Sequence, residues 1–467
     1  MDTYDLIIIG GGAGAFAAGI KANELKQKTL IINGGLPAGG TCVNVGCVPS
    51  KILVHAGEVI HNARHHAVPG IDIEVKNIDF KKIIEHELGM VEHFRNEKYQ
   101  EILGNLEHVT YIEGMASFSG EKEVVVNGEA FTATKFIIAT GSTANVPPIE
   151  GIREAGYLTH IEALSLTKLP TEMVVIGAGP VGLELAQVYA RFGTKVTILQ
   201  HGERIFPHGE QDLIAQLHKV LEDEGIIIHT KAEATRVERR DGKKVVTFTV
   251  DGSEQTIAVD EILLASGKTA NTDDLNLVTV GVAVNERKSI IVNEYFETNV
   301  PHVYAVGDVT ALPMRLETTA GHEGTLVAEN IIEGKQNSID YGSVPYAIFT
   351  DPGYASVGLT EDSQMERDGV CACRTVPFTI LPKAGITGRT EGMIKMGVDP
   401  KTQVIVGVHI LAPNAADLIA EAMVLIKNKN TIDDVLNSEP VFPTLSEAIK
   451  YAALSFTKDL SKLSCCI

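Results

Sequence analysis

Residues 4–22 read YDLIIIGGGAGAFAAGIKA, an apolar run that passes through a glycine turn into an alanine-rich segment. This order predicts a buried strand, a tight turn and then a helix. Gly10, Gly12 and Ala15 have the spacing of the dinucleotide-binding fingerprint, in which alanine at the third position permits close packing of the helix. One copy is weak evidence, because glycine turns also join strands to helices without binding a ligand.

The pattern returns in EMVVIGAGPVGLELAQVYARFGTKVTIL, residues 172–199. Gly177, Gly179 and Gly182 follow an apolar strand there and open a helix that leads to a second strand. Two copies in one chain are much harder to explain as chance than one. The sequence therefore predicts an α/β protein with two Rossmann-like dinucleotide-binding domains.

Composition restricts the partners of this chain. The 467 residues carry a formal net charge of −20, which makes nucleic acid an unexpected partner. No apolar run is long enough to span a membrane, and MDTYD before the first apolar run has no basic residue, unlike a signal peptide. A cytoplasmic location is expected. Six cysteines in so large a cytoplasmic chain favour catalysis or metal binding over a structural disulfide framework.

The residues after each second strand indicate the nucleotide, because a carboxylate there would repel a 2′-phosphate. Residues 200–204 read QHGER, so no carboxylate ends the strand itself. Gln200 with the nearby His201 and Arg204 favours NADPH over NADH, although Glu203 weakens the argument. The first copy has Asn33 at the equivalent point, where an amide can still bond a ribose hydroxyl.

Three further stretches place glycines or an acid after strands. FIIATGSTANVPPIEG (136–151) contains Thr140 and Gly141, and VDEILLASGKTANT (259–272) repeats the arrangement with Gly267. VPHVYAVGDVT (300–310) places Asp308 after an apolar strand and a glycine. This carboxylate suits hydrogen bonds from a polyol such as the ribityl chain of a flavin, although it equally suits a helix cap.

GGTCVNVGCVPSK, residues 39–51, is the most informative stretch. The spacing of Cys42 and Cys47 predicts that both thiols face one side of a helical first turn. The surrounding turn and cap residues disfavour a pair of buried structural thiols. Here the chain resembles the flavin disulfide oxidoreductases, whose signature is this cysteine pair followed by the second glycine motif and a Gly-Asp motif. The resemblance covers the whole chain in that order.

The resemblance implies a glutathione reductase-like homodimer that uses FAD and NADPH. It implies a discontinuous FAD-binding domain at 1–150 and 271–338, an NAD(P)H-binding domain at 151–270 and an α+β dimerisation domain at 339–467. Cys47 would lie against the flavin, Cys42 would meet the substrate, and Lys51 would pair with Glu184 beside the flavin. The residues implied at the two cofactors are Gly10, Gly12, Gly14, Ala15, Asn33, Gly40, Thr41, Lys51, Thr140, Gly141, Gly177, Gly179, Gly182, Gln200, His201, Arg204, Gly267 and Asp308.

The C-terminal part departs from the disulfide-reducing members. Those members end in HxHPTxxE, whose second histidine, contributed by the other subunit, protonates a leaving thiolate. EPVFPTLSE (439–447) has Pro440 and Phe442 in place of the histidines, and phenylalanine cannot transfer a proton. Disulfide reduction should therefore be impaired. Reduction of a soft metal ion needs thiolate ligands and electrons but no acid for a sulfur leaving group.

The chain ends in SKLSCCI, which makes Cys465 and Cys466 adjacent. This pair, together with the loss of the histidine, resembles the mercuric reductase family. In that family the C-terminal pair of one subunit delivers Hg(II), received as a thiol complex, to the redox pair of the other. The resemblance implies reduction of Hg(II) to Hg(0) by NADPH-reduced FAD. It also implies four metal-binding thiols, those of Cys42, Cys47, Cys465 and Cys466.

Two aromatic residues bear on that resemblance. Tyr157 in REAGYLTH looks matched to an active-site tyrosine of the family. Phe442 stands where many members have a tyrosine, so the hydroxyl that those members have at this point is absent.

Two other functions stay open. A disulfide reductase of the thioredoxin reductase type can also end in adjacent cysteines, but it would need the histidine that Phe442 replaces. A non-catalytic buffer for soft metal ions is the other, and the intact Lys51, Glu184 and nucleotide motifs argue against it. Cys371 and Cys373 alternate along a predicted strand and so share one face, where a buried structural role is expected.

Overall fold

The computed structural model describes residues 2–66 and 68–464. The first elements are β1 (Asp2–Ile9), α1 (Ala13–Glu24), β2 (Thr29–Asn33), α2 (Gly40–Val45), α3 (Cys47–His65), α4 (Phe80–Arg95), α5 (Glu101–Leu103), β3 (Val109–Glu113), β4 (Ser117–Gly120), β5 (Glu123–Val126), β6 (Glu129–Ile138), β7 (Ser142–Ala144), α6 (Ile152–Ala155) and α7 (His160–Leu164). β1 lies in parallel between β2 and β6, and β3 extends the sheet beyond β2. β6 continues antiparallel into β5 and β4. The apolar run at 6–9 is buried because it forms the centre of this sheet.

The second group of elements contains another parallel sheet. It comprises β8 (Glu172–Ile176), α8 (Pro180–Phe192), β9 (Lys195–Leu199), α9 (Gln211–Asp223), β10 (Ile227–His229), β11 (Ala232–Arg240), β12 (Lys243–Val250), β13 (Ser253–Val259), β14 (Glu261–Leu264), β15 (Lys268–Ala270), α10 (Leu277–Val280), β16 (Val303–Ala305) and α11 (Glu317–Glu333). The parallel order is β10-β9-β8-β14, and β11, β12 and β13 form a separate antiparallel sheet. β15 then pairs with β7 and β16 with β6, so the chain returns to the first sheet.

The third group forms an antiparallel sheet covered by helices. It comprises β17 (Tyr346–Ile348), β18 (Gly353–Gly358), α12 (Glu361–Asp368), β19 (Ala372–Pro377), α13 (Pro382–Thr387), β20 (Met393–Val398), β21 (Ile405–Ala412), α14 (Ala415–Lys427), α15 (Ile432–Leu436) and α16 (Glu447–Leu454). The strand order is β17-β18-β21-β20-β19, which leaves β19 as an edge strand. Ile419 and Ala422 of α14 and Ala452 of α16 belong to the same buried apolar cluster as this sheet.

The first sheet, the parallel sheet β10-β9-β8-β14 and the third sheet, which is formed by β17–β21, confirm the predicted fold class. A buried charge network fixes α8 relative to the third sheet, because Arg191 lies 2.7 Å from Glu224 and 3.1 Å from Asp351. Arg389 also pairs with Asp351 at 2.5 Å, and buried charges of this kind need all their partners. Within residues 2–66 and 68–464, no helix is both long and apolar enough to cross a membrane.

Candidate active site

The first glycine turn has the shape that a dinucleotide requires. A Cβ on Gly10 would lie 2.1 Å from the carbonyl oxygen of Ala139, and the φ of +134° also favours glycine. A Cβ on Gly12 would have no neighbour closer than 3.9 Å, so this backbone is open to a ligand. Ala15 is fully buried against the sheet. A tight turn, an open approach for pyrophosphate and close helix packing are therefore all present, and the turn fits the predicted FAD.

The second glycine turn repeats this geometry. Gly177 has a φ of +106°, and a Cβ there would lie 2.5 Å from the carbonyl oxygen of Ala265. Gly179 precedes α8 and has open space around the position of a Cβ, whereas Gly182 packs closely against the turn. Amide groups at the first turn of α8 are thus free to face an anion, as a nicotinamide dinucleotide would need.

The other predicted backbone positions lie around the first turn. A Cβ on Gly40 would come within 2.7 Å of the Cα atom of Gly12, and Thr41 follows it in α2. Thr140 and Gly141 follow β6 beside β1, and the Thr140 hydroxyl donates to the carbonyl of residue 271 at 2.7 Å. Gly267 directly precedes β15, which pairs with β7 just beyond Gly141.

Asp308 and Asn33 stand at strand ends of the first sheet. Asp308 accepts a hydrogen bond of 2.7 Å from Ser142 Oγ. The helix after it, α11, begins only at residue 317, so the alternative that Asp308 caps this helix is wrong. Asn33 Nδ2 donates to the carbonyl of Leu36 at 2.9 Å and to Tyr111 Oη at 2.8 Å. The Oδ1 atom of Asn33 therefore remains to accept a bond from a ribose hydroxyl.

Gln200 is held at the end of β9 by both ends of its amide. Its Oε1 atom accepts from the backbone N–H of Ala178 at 3.0 Å, and its Nε2 atom donates to the carbonyl of Arg204 at 3.2 Å. His201 beside it is exposed. Gln200 thus links the second glycine turn to the loop that carries the predicted cations.

The charged side chains of that loop have partners that were not predicted from the sequence. The Arg204 guanidinium donates to the carbonyl of Pro207 at 2.6 Å and lies 3.8 Å from Asp362. Sequence reasoning missed Lys231, whose Nζ atom lies 3.4 Å from Glu203. The positive charge of Lys231 offsets the Glu203 carboxylate, which argued against NADPH. Lys231 lies just after the end of β10, and no local sequence pattern marks it.

The cysteine pair spans two helices rather than one turn. Cys42 lies in α2, and Cys47 is the first residue of α3, with Gly46 between the helices at φ −132° and ψ −111°. A Cβ on Gly46 would lie 2.9 Å from the Thr41 carbonyl oxygen. The prediction of one shared helical turn is therefore wrong, because the sharp bend at Gly46 breaks the helix. The two thiols nevertheless interact through a hydrogen bond.

The pair has one thiol and one ready thiolate. The hydrogen bond from Cys42 lowers the pKa of Cys47 to about 7, and the nearby Lys51 ammonium acts in the same direction. The same hydrogen bond, with burial, raises the pKa of Cys42 far above its ordinary value. Cys47 is thus the sulfur that ionises first, with the Cys42 thiol as its hydrogen-bond donor.

Lys51 and Glu184 form the predicted ion pair. Lys51 lies one helical turn after Cys47, and its Nζ atom is 2.5 Å from Glu184 Oε2. The other carboxylate oxygen accepts from the backbone N–H of Phe349 at 2.9 Å, and the ammonium lies 4.3 Å from the Phe349 ring centre. Phe349 was not predicted, because it comes from the third sheet and only the fold brings it here.

Three more side chains near the thiols, those of Glu317, Tyr99 and Lys268, were not predicted from the sequence. Glu317, at the start of α11, acts electrostatically on both cysteines and on Tyr99. α11 reaches this place because it packs against the first turn, where a Cβ on Gly14 would lie 3.1 Å from the carbonyl oxygen of residue 320. Burial lowers the pKa of Lys268, which feels the charges of Asp308 and Cys47.

Several predicted residues are not brought to the thiols by the described part of the chain. The Tyr157 ring packs, half-buried, against the apolar cluster between β8, β14 and β11, so its catalytic role stays a prediction. Phe442 lies in the loop before α16 and is 54% exposed, which leaves it free to face a second subunit. Cys465 and Cys466 lie outside the described residues.

Cys371 and Cys373 differ from expectation. A disulfide joins them, which agrees with the prediction that they share one face. Both are half-exposed, so the prediction of burial is wrong. β19 is an edge strand, and no other strand of residues 2–66 and 68–464 pairs with its outer side.

Together these features define an oxidoreductase with two dinucleotide-binding sites and a redox-active dithiol. The chain belongs to the pyridine nucleotide-disulphide oxidoreductase family, whose model matches residues 4–324, while the model of the family's dimerisation domain matches residues 344–453. This membership confirms the predicted flavoprotein oxidoreductase class and its cofactors, FAD and NADPH. The dimerisation domain supports the predicted homodimer.

The chain is similar to family members whose names give different activities. A mercuric reductase of Lysinibacillus sphaericus is 37% identical over 100% of this chain and 85% of its own length. A dihydrolipoyl dehydrogenase of Thermus scotoductus is also 37% identical, over 98% of both chains. The Cu(II) complex of the HOCl-induced flavoprotein disulfide reductase RclA from Escherichia coli has a TM-score of 0.87 and 27% identity, covering 98% of this chain and 100% of that one.

Proposed function

We propose that the protein is an NADPH-dependent, FAD-containing enzyme that reduces Hg(II) to Hg(0). The observation that carries the proposal is the pairing of a complete redox site, Cys42, Cys47, Lys51 and Glu184, with an exposed Phe442 where disulfide reductases need an acid. Similarity to mercuric reductases over the full chain supports it.

The residues of this chain would hold the cofactors in two places. The turn at Gly10 and Gly12, with Asp308, would hold FAD, and the turn at Gly177 and Gly179 would hold NADPH. FAD, once reduced by NADPH, supplies two electrons to the site. We place the domain boundaries at 1–150 with 271–338, 151–270 and 339–467.

The two thiols would act as the metal ligands during reduction. Cys47 ionises readily and Cys42 loses its proton when the metal displaces it, so a soft cation finds two sulfur ligands. The metal ion accepts two electrons and leaves as the neutral atom, which thiolates no longer hold. Lys51, fixed by Glu184, would point its ammonium group at the flavin site.

The terminal pair would supply the metal. In this proposal Cys465 and Cys466 of one subunit take Hg(II) from a small-thiol complex and pass it to Cys42 and Cys47 of the other by ligand exchange. Changing both terminal cysteines to alanine should leave reduction of FAD by NADPH intact. Turnover should slow with Hg(II) held by bulky or excess thiols, and less with Hg(II) bromide, which can bypass the tail.

A disulfide oxidoreductase is the second candidate. The equal identity to a dihydrolipoyl dehydrogenase favours it. Phe442 argues against this function and also against a disulfide reductase of the thioredoxin reductase type. Neither reaction proceeds well without a proton donor for the leaving sulfur. A non-catalytic metal buffer would leave the Lys51–Glu184 pair and both glycine turns without a purpose.

The deciding experiment compares substrates side by side. Anaerobic NADPH oxidation is measured with Hg(II), oxidised glutathione, lipoamide and a thioredoxin disulfide, and Hg(0) is collected from the headspace. The proposal expects Hg(0) in proportion to NADPH consumed, with little oxidation by the disulfides. Faster turnover of any disulfide than of Hg(II) would assign the chain to the second candidate. A Cys42→Ser protein is the control and should consume no NADPH with Hg(II).

A further inference from the structure

The six cysteines fall into three pairs, and the middle pair has no part in the function proposed above. Cys371 directly precedes β19 and Cys373 lies within it, and a disulfide joins them with Cα atoms 5.7 Å apart. They are on the third sheet, whereas Cys42 and Cys47 are on α2 and α3. The pair is therefore a separate thiol centre.

The surroundings of this centre leave it accessible. β19 is the edge of its sheet, and Cys371, Ala372 and Cys373 are all half-exposed. Opposite Cys373 on β20 is Gly397, and a Cβ there would lie 3.5 Å from the Cys373 sulfur. The sulfur thus lies over a residue without a side chain, beside the amide oxygen of Gln364 at 3.5 Å. A reagent or ion can approach from the open edge.

We propose that Cys371 and Cys373 form a reversible dithiol–disulfide pair whose reduced form binds one soft, thiophilic cation such as Hg(II). Two thiolates separated by a single residue supply the two sulfur ligands that such an ion needs. The disulfide shows that both side chains lie on the same side of the strand, so rotation about their Cα–Cβ bonds would separate the two sulfur atoms and let them hold one ion between them. Binding here does not depend on the flavin or on the reduction proposed above.

The chemistry balances with a small dithiol as reductant. One of its thiolates attacks the disulfide, and its second thiolate then closes a ring disulfide and releases both cysteines. One S–S bond breaks and one forms, and the two protons of the reductant end on Cys371 and Cys373. The cation then displaces these protons, and the oxidation state of sulfur does not change.

The test uses a full-length chain in which Cys42, Cys47, Cys465 and Cys466 are all serine. After treatment with a small dithiol and its removal, the chain should retain one Hg(II) through ultrafiltration against a competing monothiol, and the untreated chain none. Adding Cys371→Ser leaves a single thiol without chelation, so retention should weaken about 100-fold. Equal retention with and without Cys371 would overturn the proposal, and FAD content reports whether each variant is folded.

A second measurement uses the unaltered protein. Trypsin should release residues 368–374, DGVCACR, in which Cys371 and Cys373 are the only cysteines. The folded protein should yield this peptide alkylated after dithiol treatment, and Hg(II) added before the alkylating reagent should protect it. A disulfide that opens only in denaturant, or alkylation unaffected by Hg(II), would mean that the pair is a structural link.

Discussion

Among single residues, Cys47 has the most distinctive expected signature. Its pKa of about 7 follows from the Cys42 hydrogen bond, with Lys51 close by. In the two-electron-reduced holoenzyme, a Cys47 thiolate against the flavin should give a long-wavelength charge-transfer band. An acid that ionises near this pKa becomes a thiolate as pH rises, so the band should grow through about pH 7. A pH titration of the absorbance checks this.

Two variants separate the sulfur atoms. Cys42→Ser keeps a hydroxyl donor to Cys47, so the band should persist, with its midpoint no higher than in the unmodified enzyme because a hydroxyl donates to a thiolate at least as strongly as a thiol does. Cys47→Ala should abolish the band. A band that survives in Cys47→Ala would show that the other sulfur faces the flavin.

Gln200 should set the nucleotide preference. Gln200→Glu retains the acceptor for the Ala178 N–H but loses the donor to the Arg204 carbonyl and adds a charge near a 2′-phosphate. The ratio of kcat/KM for NADPH to kcat/KM for NADH should fall. The decrease should correspond to about 1–3 kcal/mol of free energy. Lys231→Ala, which removes a cation and leaves Gln200 in place, should lower it less. An unmodified enzyme that uses both nucleotides equally well would refute the preference.

The residues found from sequence and those missed differ in a physical way. Gly10, Gly177 and Cys47 sit in motifs whose neighbours in the chain are also their neighbours in space. Phe349 and Glu317 reach the site from other elements and are common residue types in ordinary contexts. Nothing local marks them, so only the packing of β17 on α8 and of α11 on α1 reveals their role.

Among the elements, α4 contains an unpaired buried acid. Glu87 is 1% exposed, and its Oε2 atom has no hydrogen-bond partner among the described residues. Burial raises its pKa to about 7. The folded state thus binds this proton more tightly than the unfolded chain, and the resulting stability is present at low pH and lost as pH rises through about 7.

Glu87→Gln should therefore stabilise the protein in alkaline solution. The neutral amide places no charge in this apolar environment, so the free energy of unfolding should increase by about 1–3 kcal/mol near pH 8 and by less near pH 5. Denaturant unfolding followed by circular dichroism at the two pH values measures it. Glu85→Gln, on the exposed face of the same helix, is the matched control and should change little at either pH. A Glu87 variant no more stable than this control would mean that an unseen partner satisfies the carboxylate.

Elements were predicted well where a strong apolar period or a glycine turn marks them, as at β1, α1, β8 and α8. The break between α2 and α3 was not predicted, because Gly46 is one of many glycines and its bend depends on contact with the Thr41 carbonyl. The disulfide before and within β19 also depends on sheet order, since an edge position decides whether a cysteine is covered.

For the whole molecule, the redox pair and the exposed C-terminal loop lie on different parts of the fold. The dithiol is on α2 and α3, whereas the loop with Val441 and Phe442, 74% and 54% exposed, belongs to the C-terminal sheet and its helices. Two large apolar side chains side by side in solvent are typical of an interface. The match of residues 344–453 to the family's dimerisation domain fits this placement. A second subunit would bring that loop, and the tail beyond it, to the thiols.

Mixed dimers test whether the tail acts across that interface. One parent chain has Cys465 and Cys466 changed to alanine, and the other has Cys42→Ala; each alone should be slow with thiol-bound Hg(II). In a heterodimer, one site combines an intact Cys42–Cys47 pair with an intact tail from the other chain. Turnover should recover to about half of the unmodified enzyme, because one of two sites is complete. The measurement is NADPH oxidation by tag-purified heterodimers, with FAD content equal in all samples. If the pair acted within its own chain, no site of the mixed dimer would be complete, and heterodimers as slow as their parents would show it.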